Sequence, residues 1–114
     1  MVRVDALVIC RDGVDIISQS NGLSSVRISL LSGKLDELND LAIRLCGSPL
    51  RVIDLESKTI ALYQGSENPS IIVWALLDKV KSTESVIEIL KGLFAYFIEH
   101  HLDSLDKSIT ELEG

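Results

Sequence analysis

The side chains best suited to chemistry cluster near the C-terminus of the 114-residue chain, where Glu99, His100, His101 and Asp103 fall together. Imidazoles and carboxylates ligate divalent metals, and zinc sites on helices place their ligands four residues apart. Glu99 and Asp103 have that spacing but supply only two carboxylates, and adjacent histidines on a helix point about 100° apart. Solvated helix surface is the plainer reading. Nucleophilic catalysis needs a Ser or Cys beside a base, with an orienting acid and oxyanion donors. The chain has no Gly-x-Ser-x-Gly, and neither Cys10 nor Cys46 is close in sequence to a histidine. Gly13, Gly22, Gly33 and Gly47 stand singly, so no phosphate-cradling loop forms from them. The expectation is a protein that is not an enzyme, with no catalytic, cofactor-binding or metal-binding residues and no cofactor.

Composition narrows the partners. A formal charge of −6 opposes nucleic acid, which needs a basic face to displace counterions, and anionic membrane surfaces as well. Aromatic residues are 4% of the chain, so its 46% apolar content is mostly core-filling Val, Ile, Leu and Ala. Met1-Val2-Arg3-Val4-Asp5 puts charges where the apolar core of a signal peptide would lie. The longest apolar run, Ile71 to Leu77, is far short of the ~20 residues that span a bilayer. These features point to one domain over residues 1–114, without a transmembrane segment, in the cytoplasm, with both thiols reduced and buried.

The elements follow from periodicity and turn chemistry. Val2 to Cys10 and Val14 to Ser20 flank Asp12-Gly13, the strongest short hairpin signal, because a type I′ turn needs positive φ at both central residues. Asn21 to Ser25 supplies candidate caps, and Ile28, Leu31, Leu35, Leu38, Ala42 and Leu45 then recur as one helical stripe. Its plain role is packing on a sheet, with self-association through part of Leu31, Leu35, Leu38, Ala42 and Leu45 as the alternative. Gly33 weakens the first turns of this 25–46 helix, and Gly47 with Pro49 ends it. Three short strands follow at Leu50–Leu55, Thr59–Gln64 and Ser70–Leu77, joined by turns too short for anything but an antiparallel meander. A long helix runs from about Ser82 to Leu102, with Ser85 and Glu88 at capping-box spacing and enough apolar residues to bury two sides. Leu105, Ile109 and Leu112 then mark further helix within 104–112 that packs on the domain or on a partner.

Burial pattern orders the strands. A strand apolar on both faces belongs in the middle of a covered sheet, and an alternating one has a wet face. Ala6–Cys10 and Ile71–Leu77 are continuously apolar, Trp74 among them as a core residue. The fold class is therefore α/β (α+β): a five-stranded antiparallel sheet in the order 2-1-5-4-3, helices on both faces, ββαβββα with a further α.

The run from Ala6 through Arg11-Asp12-Gly13 to Ser20 resembles the opening hairpin of roadblock (dynein light-chain-like) domains. The helix, meander and closing helix that follow match the same family in order and approximate length, over residues 2 to about 100. Roadblock domains begin with a helix, whereas this chain begins at the strand and carries extra helical sequence at its C-terminus, which is similar to the permuted arrangement of longin domains. The resemblance implies a non-catalytic, dimeric scaffold or adaptor. Its partners would be a second copy or a related roadblock/longin protein, and in many members a Ras-like small GTPase.

The inferred edge strand supplies a candidate dimer interface. Edges leave unpaired N–H and C=O groups and are usually blunted by proline or charge. Pro49 and Arg51 do so here, yet Leu50, Val52, Ile53 and Leu55 leave this edge apolar, with Ile28 and Leu31 on the adjoining helix. A rival reading is a small-ligand sensor of PAS-like or profilin-like architecture, which needs a cavity between sheet and helix with a few polar groups.

Overall fold

The computed structural model describes residues 4–65, 69–79 and 83–100. Seven elements follow one another: β1 (Val4–Arg11), β2 (Val14–Ser20), α1 (Ser25–Cys46), β3 (Val52–Asp54), β4 (Lys58–Gln64), β5 (Ile71–Asp78) and α2 (Glu84–His100). The strands form one antiparallel sheet in the order β2-β1-β5-β4-β3, the order that two-sided apolarity predicts.

The hairpin turn forms as its residues dictate. Asp12 has φ 52° and Gly13 φ 79°, both in the left-handed region a type I′ turn requires. A bulge after Ile9 shifts the register, so that Ile9 pairs with Ile17 while Cys10 pairs with Asp15. Helix α1 starts on Ser24, whose side chain accepts from the Arg27 N–H at 3.3 Å. It ends on Gly47 at φ 73°, whose N–H donates to the Ile43 carbonyl at 2.8 Å. The helix runs unbroken through Gly33. A Cβ there would lie 3.9 Å from the Gly13 carbonyl oxygen, and one on Gly13 would lie 3.5 Å from the Gly33 Cα, so the two glycines meet where turn and helix touch. Helix α2 begins at Glu84, with the Thr83 carbonyl accepting from Ile87. Ser85 and Glu88 thus lie inside the helix rather than forming its cap. The further helix expected within 104–112, and the flanking 82 and 101–102, fall outside the described residues.

The sheet separates two cores. Under α1 lie Ala6, Val8, Cys10, Ile28, Leu35, Ile60, Leu62, Ile72 and Trp74. Under α2 lie Ala61, Ile71, Val73, Ala75, Leu77, Ile87, Leu90, Phe94 and Phe97. Strand β5 alternates between the two, which is why its sequence is apolar without a break. Truncating a fully enclosed side chain such as Leu35 to alanine costs about 2–5 kcal/mol, transfer and cavity terms together.

The apolar stripe read along α1 is only partly what the helix buries. Its enclosed residues are Ile28, Ser32, Leu35 and Asn39. A strict seven-residue repeat drifts about 20° per heptad around a straight helix. Along Leu31, Leu38 and Leu45 that drift carries the side chains off the sheet: Leu31 is half-buried, Leu38 is 45% exposed and Leu45 75%. The places they vacate on the inner face are filled by polar side chains with partners. Ser32 accepts from the Trp74 indole at 3.0 Å. Asn39 accepts from the Leu50 N–H at 2.8 Å and donates to Gln64 at 3.2 Å. Cys46 is another departure, since its thiol is exposed while that of Cys10 is buried.

Candidate protein-interaction surface

Strand β3 keeps its register with β4 one residue beyond each end of its ladder, and side chains from α1 and from beyond β5 hold the backbone there. Ladder pairing covers Val52, Ile53 and Asp54 against Ala61, Ile60 and Thr59. Leu50 has turned its N–H to the Asn39 side chain, and the Arg51 carbonyl accepts from the Leu62 N–H at 2.8 Å. Beyond Asp54, the Leu55 N–H donates to the Lys58 carbonyl at 2.9 Å and the Leu55 carbonyl accepts from Lys79 at 3.0 Å. The expected six-residue strand is therefore a three-residue strand with an anchored approach and an anchored exit.

The seven residues expected at an interface fall into four groups. Leu50 and Ile53 are half-buried and pack on the core beneath α1 together with Leu31, so these three come together at one margin of the fold. Val52 points to the other face, against the core beneath α2, while Arg51 and Leu55 are exposed. Ile28 lies within the core and has no surface to offer. Beyond these seven, α1 has an exposed outer face, to which Leu38 and Leu45 of the expected stripe belong. Val26, Leu30, Leu41 and Leu45, at steps of 4, 11 and 4, lie along it as large exposed apolar side chains, with Leu38 beside them. Lys34, Glu37, Asp40 and Arg44 interrupt this face, Arg44 pairing with Asp40 at 2.9 Å and Lys34 with Glu37 at 3.5 Å. The signal that could have found it was the recurrence of Val26, Leu30, Leu41 and Leu45 themselves at the helical period.

A network of amides fixes the α1 margin to the strands. The Gln64 amide that accepts from Asn39 also donates to the Pro69 carbonyl, so α1, the approach to β3, β4 and the β4–β5 turn share one chain of hydrogen bonds. At the far end of the sheet Lys58 reaches Asp5 at 2.7 Å and Asp78 at 2.6 Å, tying β4 to β1 and β5. Hydrogen bonds that Lys58 donates to Asp5 and then to Asp78 push its ammonium above its ordinary value.

Two further places hold titratable groups. The Cys10 thiol is pushed up to about 11, first by burial and then by the Asp36 charge, so it is a poor nucleophile. Asp12, Asp36, Glu37 and Asp40 line a surface depression of about 290 Å³ with Asn39, Gln64 and Ser70. Desolvation, then Asp12, Asp40 and Glu37, raise Asp36 above the usual carboxylate range. Among the described residues, no three metal-ligating side chains gather into one site; His101 and Asp103 lie outside them. The space between the sheet and α1, where a sensor would hold its ligand, is filled by Val8, Cys10, Leu35, Leu62 and Trp74. No helix among the described residues is long and apolar enough to cross a membrane.

No protein-family model matches this chain, and no curated protein does. Among solved structures it is similar to the crystal structure of a Roadblock/LC7 domain from Streptomyces avermitilis, at a TM-score of 0.57 and 20% identity, covering 83% of this chain and 86% of that one. A likeness at that identity speaks to the fold, which is roadblock-like.

Proposed function

We propose that this roadblock-like chain is a non-catalytic adaptor that dimerises through the β3 edge and the outer face of α1. The observation that supports this best is a pair of features that no other described element covers, linked by the Leu50 N–H that donates to Asn39 of α1. An edge strand whose apolar residues are half-buried lies beside a helix that turns Leu30, Leu38, Leu41 and Leu45 to solvent. Pairing β3 with its counterpart in a second copy extends the sheet and satisfies edge backbone groups, while the two α1 faces cover each other's leucines. A homodimer or a pairing with a related chain both follow from this geometry. The partner class that the resemblance implies for the assembled platform is a Ras-like small GTPase. The filled core disfavours the ligand-sensor reading.

Light scattering at micromolar concentration tests the first step. A dimer that Leu38→Glu converts to monomer, with circular dichroism unchanged, supports the surface. A dimer that survives Leu38→Glu and Leu30→Glu together places the interface elsewhere. A strict monomer of the unaltered chain leaves only pairing with a related chain, which a pull-down with that chain decides.

A further inference from the structure

The first residues of β1 leave the alternation of the sheet. From Arg11 back to Ala6 the strand keeps one register with β5, Ala6 pairing with Leu76. Val4 then pairs with Leu77, so Asp5 is one residue too many on β1. A bulge of this kind re-aims side chains. Ala6, Val8 and Cys10 face the core under α1, while Leu7 and Ile9 face that under α2. Strict alternation would put Asp5 on the side of Leu7 and Val4 on the side of Ala6. The structure has them reversed. The Asp5 carboxylate reaches Lys58, which stands opposite Asp78 on the α1 side, in line with Ile60 and Leu62. Val4 instead lines a depression with Leu7 and Gln19. On its other flank β1 stays in step with β2, the Asn21 N–H donating to the Asp5 carbonyl at 2.8 Å as the register at Ala6 requires. The irregularity at Asp5 is confined to the seam with β5.

For these two side chains taken alone, the bulged arrangement is the less favourable one. It leaves Val4 44% exposed and encloses Asp5, which is 8% exposed. A carboxylate is costly to bury unless a cation meets it. Lys58 does so, its ammonium 2.7 Å from Asp5 and 2.6 Å from Asp78. Lys79, next in the chain to Asp78, donates to the Leu55 carbonyl instead. The regular register would set Val4 opposite Asp78 and Asp5 opposite Leu77. That would turn the valine toward the α1 side and the carboxylate toward the side where Leu7 is only partly buried. We propose that Lys58 is a charge-operated register latch: its ammonium holds the start of β1 in the bulged register, and loss of that charge lets Val4 and Asp5 step one residue along β5 and exchange faces. The step stays local, because Ala6, Val8 and Cys10 are enclosed in the core and keep the rest of β1 in place.

The test reads the pairing directly, from nuclear Overhauser contacts between the β1 and β5 backbones of the full chain. The unaltered chain should show Val4 opposite Leu77. Lys58→Met keeps an apolar stem and removes the charge. It should move Val4 opposite Asp78 and bring the valine methyl groups to Leu76, while Val8 stays opposite Trp74. Lys58→Arg keeps the charge and should keep the original pairing. Asp5→Asn removes the charge of the other partner and should shift the register as Lys58→Met does, and it decides the matter if Lys58→Met does not fold. Three results would each overturn the proposal: an unaltered chain with Val4 already opposite Asp78, the original pairing in either neutral variant, or a shift in Lys58→Arg.

Discussion

The Trp74 indole N–H donates to the Ser32 hydroxyl at 3.0 Å, joining the central strand to α1 through two side chains that water does not reach. A buried donor left without its acceptor costs about 1–3 kcal/mol. Ser32→Ala should destabilise the fold by that amount in urea denaturation. Adding Trp74→Phe to Ser32→Ala should lose less than the sum of the two single changes, since the orphaned donor goes with the indole. Strict additivity would show that the bond carries no coupling.

Asn39 should behave as a clasp on the approach to β3. Asn39→Ala removes the acceptor of the Leu50 N–H and the donor to Gln64. A loss of about 1–3 kcal/mol is expected, with amide exchange at Leu50 accelerated more than at Trp74. Equal acceleration at both sites would mean that Asn39 supports the whole fold rather than this margin.

The two thiols should differ in reactivity. Cys46 is exposed, whereas Cys10 is buried and pushed up to about 11. One thiol per chain should react rapidly with a disulfide reagent at pH 8, and the second only on unfolding. The folded Cys10 holds its proton where the unfolded thiol loses it. Stability from this group is therefore complete below pH 9 and falls as pH rises from 9 toward 11.

Asp36 gives the pH dependence a second component of the same direction. Its carboxyl is raised above 3.8 by desolvation and by Asp12, Asp40 and Glu37. The folded chain thus binds more protons than the unfolded one just above the ordinary carboxylate value, and stability declines as pH rises through that window. Asp36→Asn should raise the melting temperature at neutral pH and flatten this decline. Added salt should narrow the difference between variant and parent. An equal or lower melting temperature for Asp36→Asn would contradict this.

Two touching glycines should respond oppositely to alanine. Gly33 sits in a helix interior where a Cβ meets only the Gly13 oxygen at 3.9 Å, so Gly33→Ala should stabilise by up to about 1 kcal/mol. Gly13 has φ 79° and a Cβ there would lie 3.4 Å from the Asp36 Cβ. Gly13→Ala should therefore destabilise by about 1 kcal/mol or more, from left-handed backbone strain.

The strands were legible because their signals are local and agree with each other. Asp12-Gly13 fixed the first hairpin, and the unbroken apolarity of Ala6–Cys10 and Ile71–Leu77 put those strands in the middle. The face of α1 was less legible. A leucine pattern at seven-residue spacing looks like a buried stripe, and only the position of the sheet tells that Ser32 and Asn39 turn inward while Leu38 and Leu45 turn outward. What decides this is the pairing of two polar side chains with Trp74 and the Leu50 N–H, distant in sequence and invisible to periodicity. The length of β3 was hidden for the same reason. Leu50 carries a strand-like side chain, but its N–H is claimed by Asn39.

The strand order also says something about how the chain folds. Hairpin β1–β2 and meander β3–β4–β5 each close over short turns, whereas the β1–β5 ladder joins Val4 to Leu77 and Arg11 to Ile71 across most of the sequence. The chain thus comprises two locally assembled pieces, with α1 between them, that meet along a single seam. Contacts so far apart in sequence form late and slow the search. The core under α1 takes enclosed residues from β1 as well as from β4 and β5, so it is not complete until the seam closes. Substitutions along it, such as at Val8 or Val73, should therefore speed unfolding more than they slow folding.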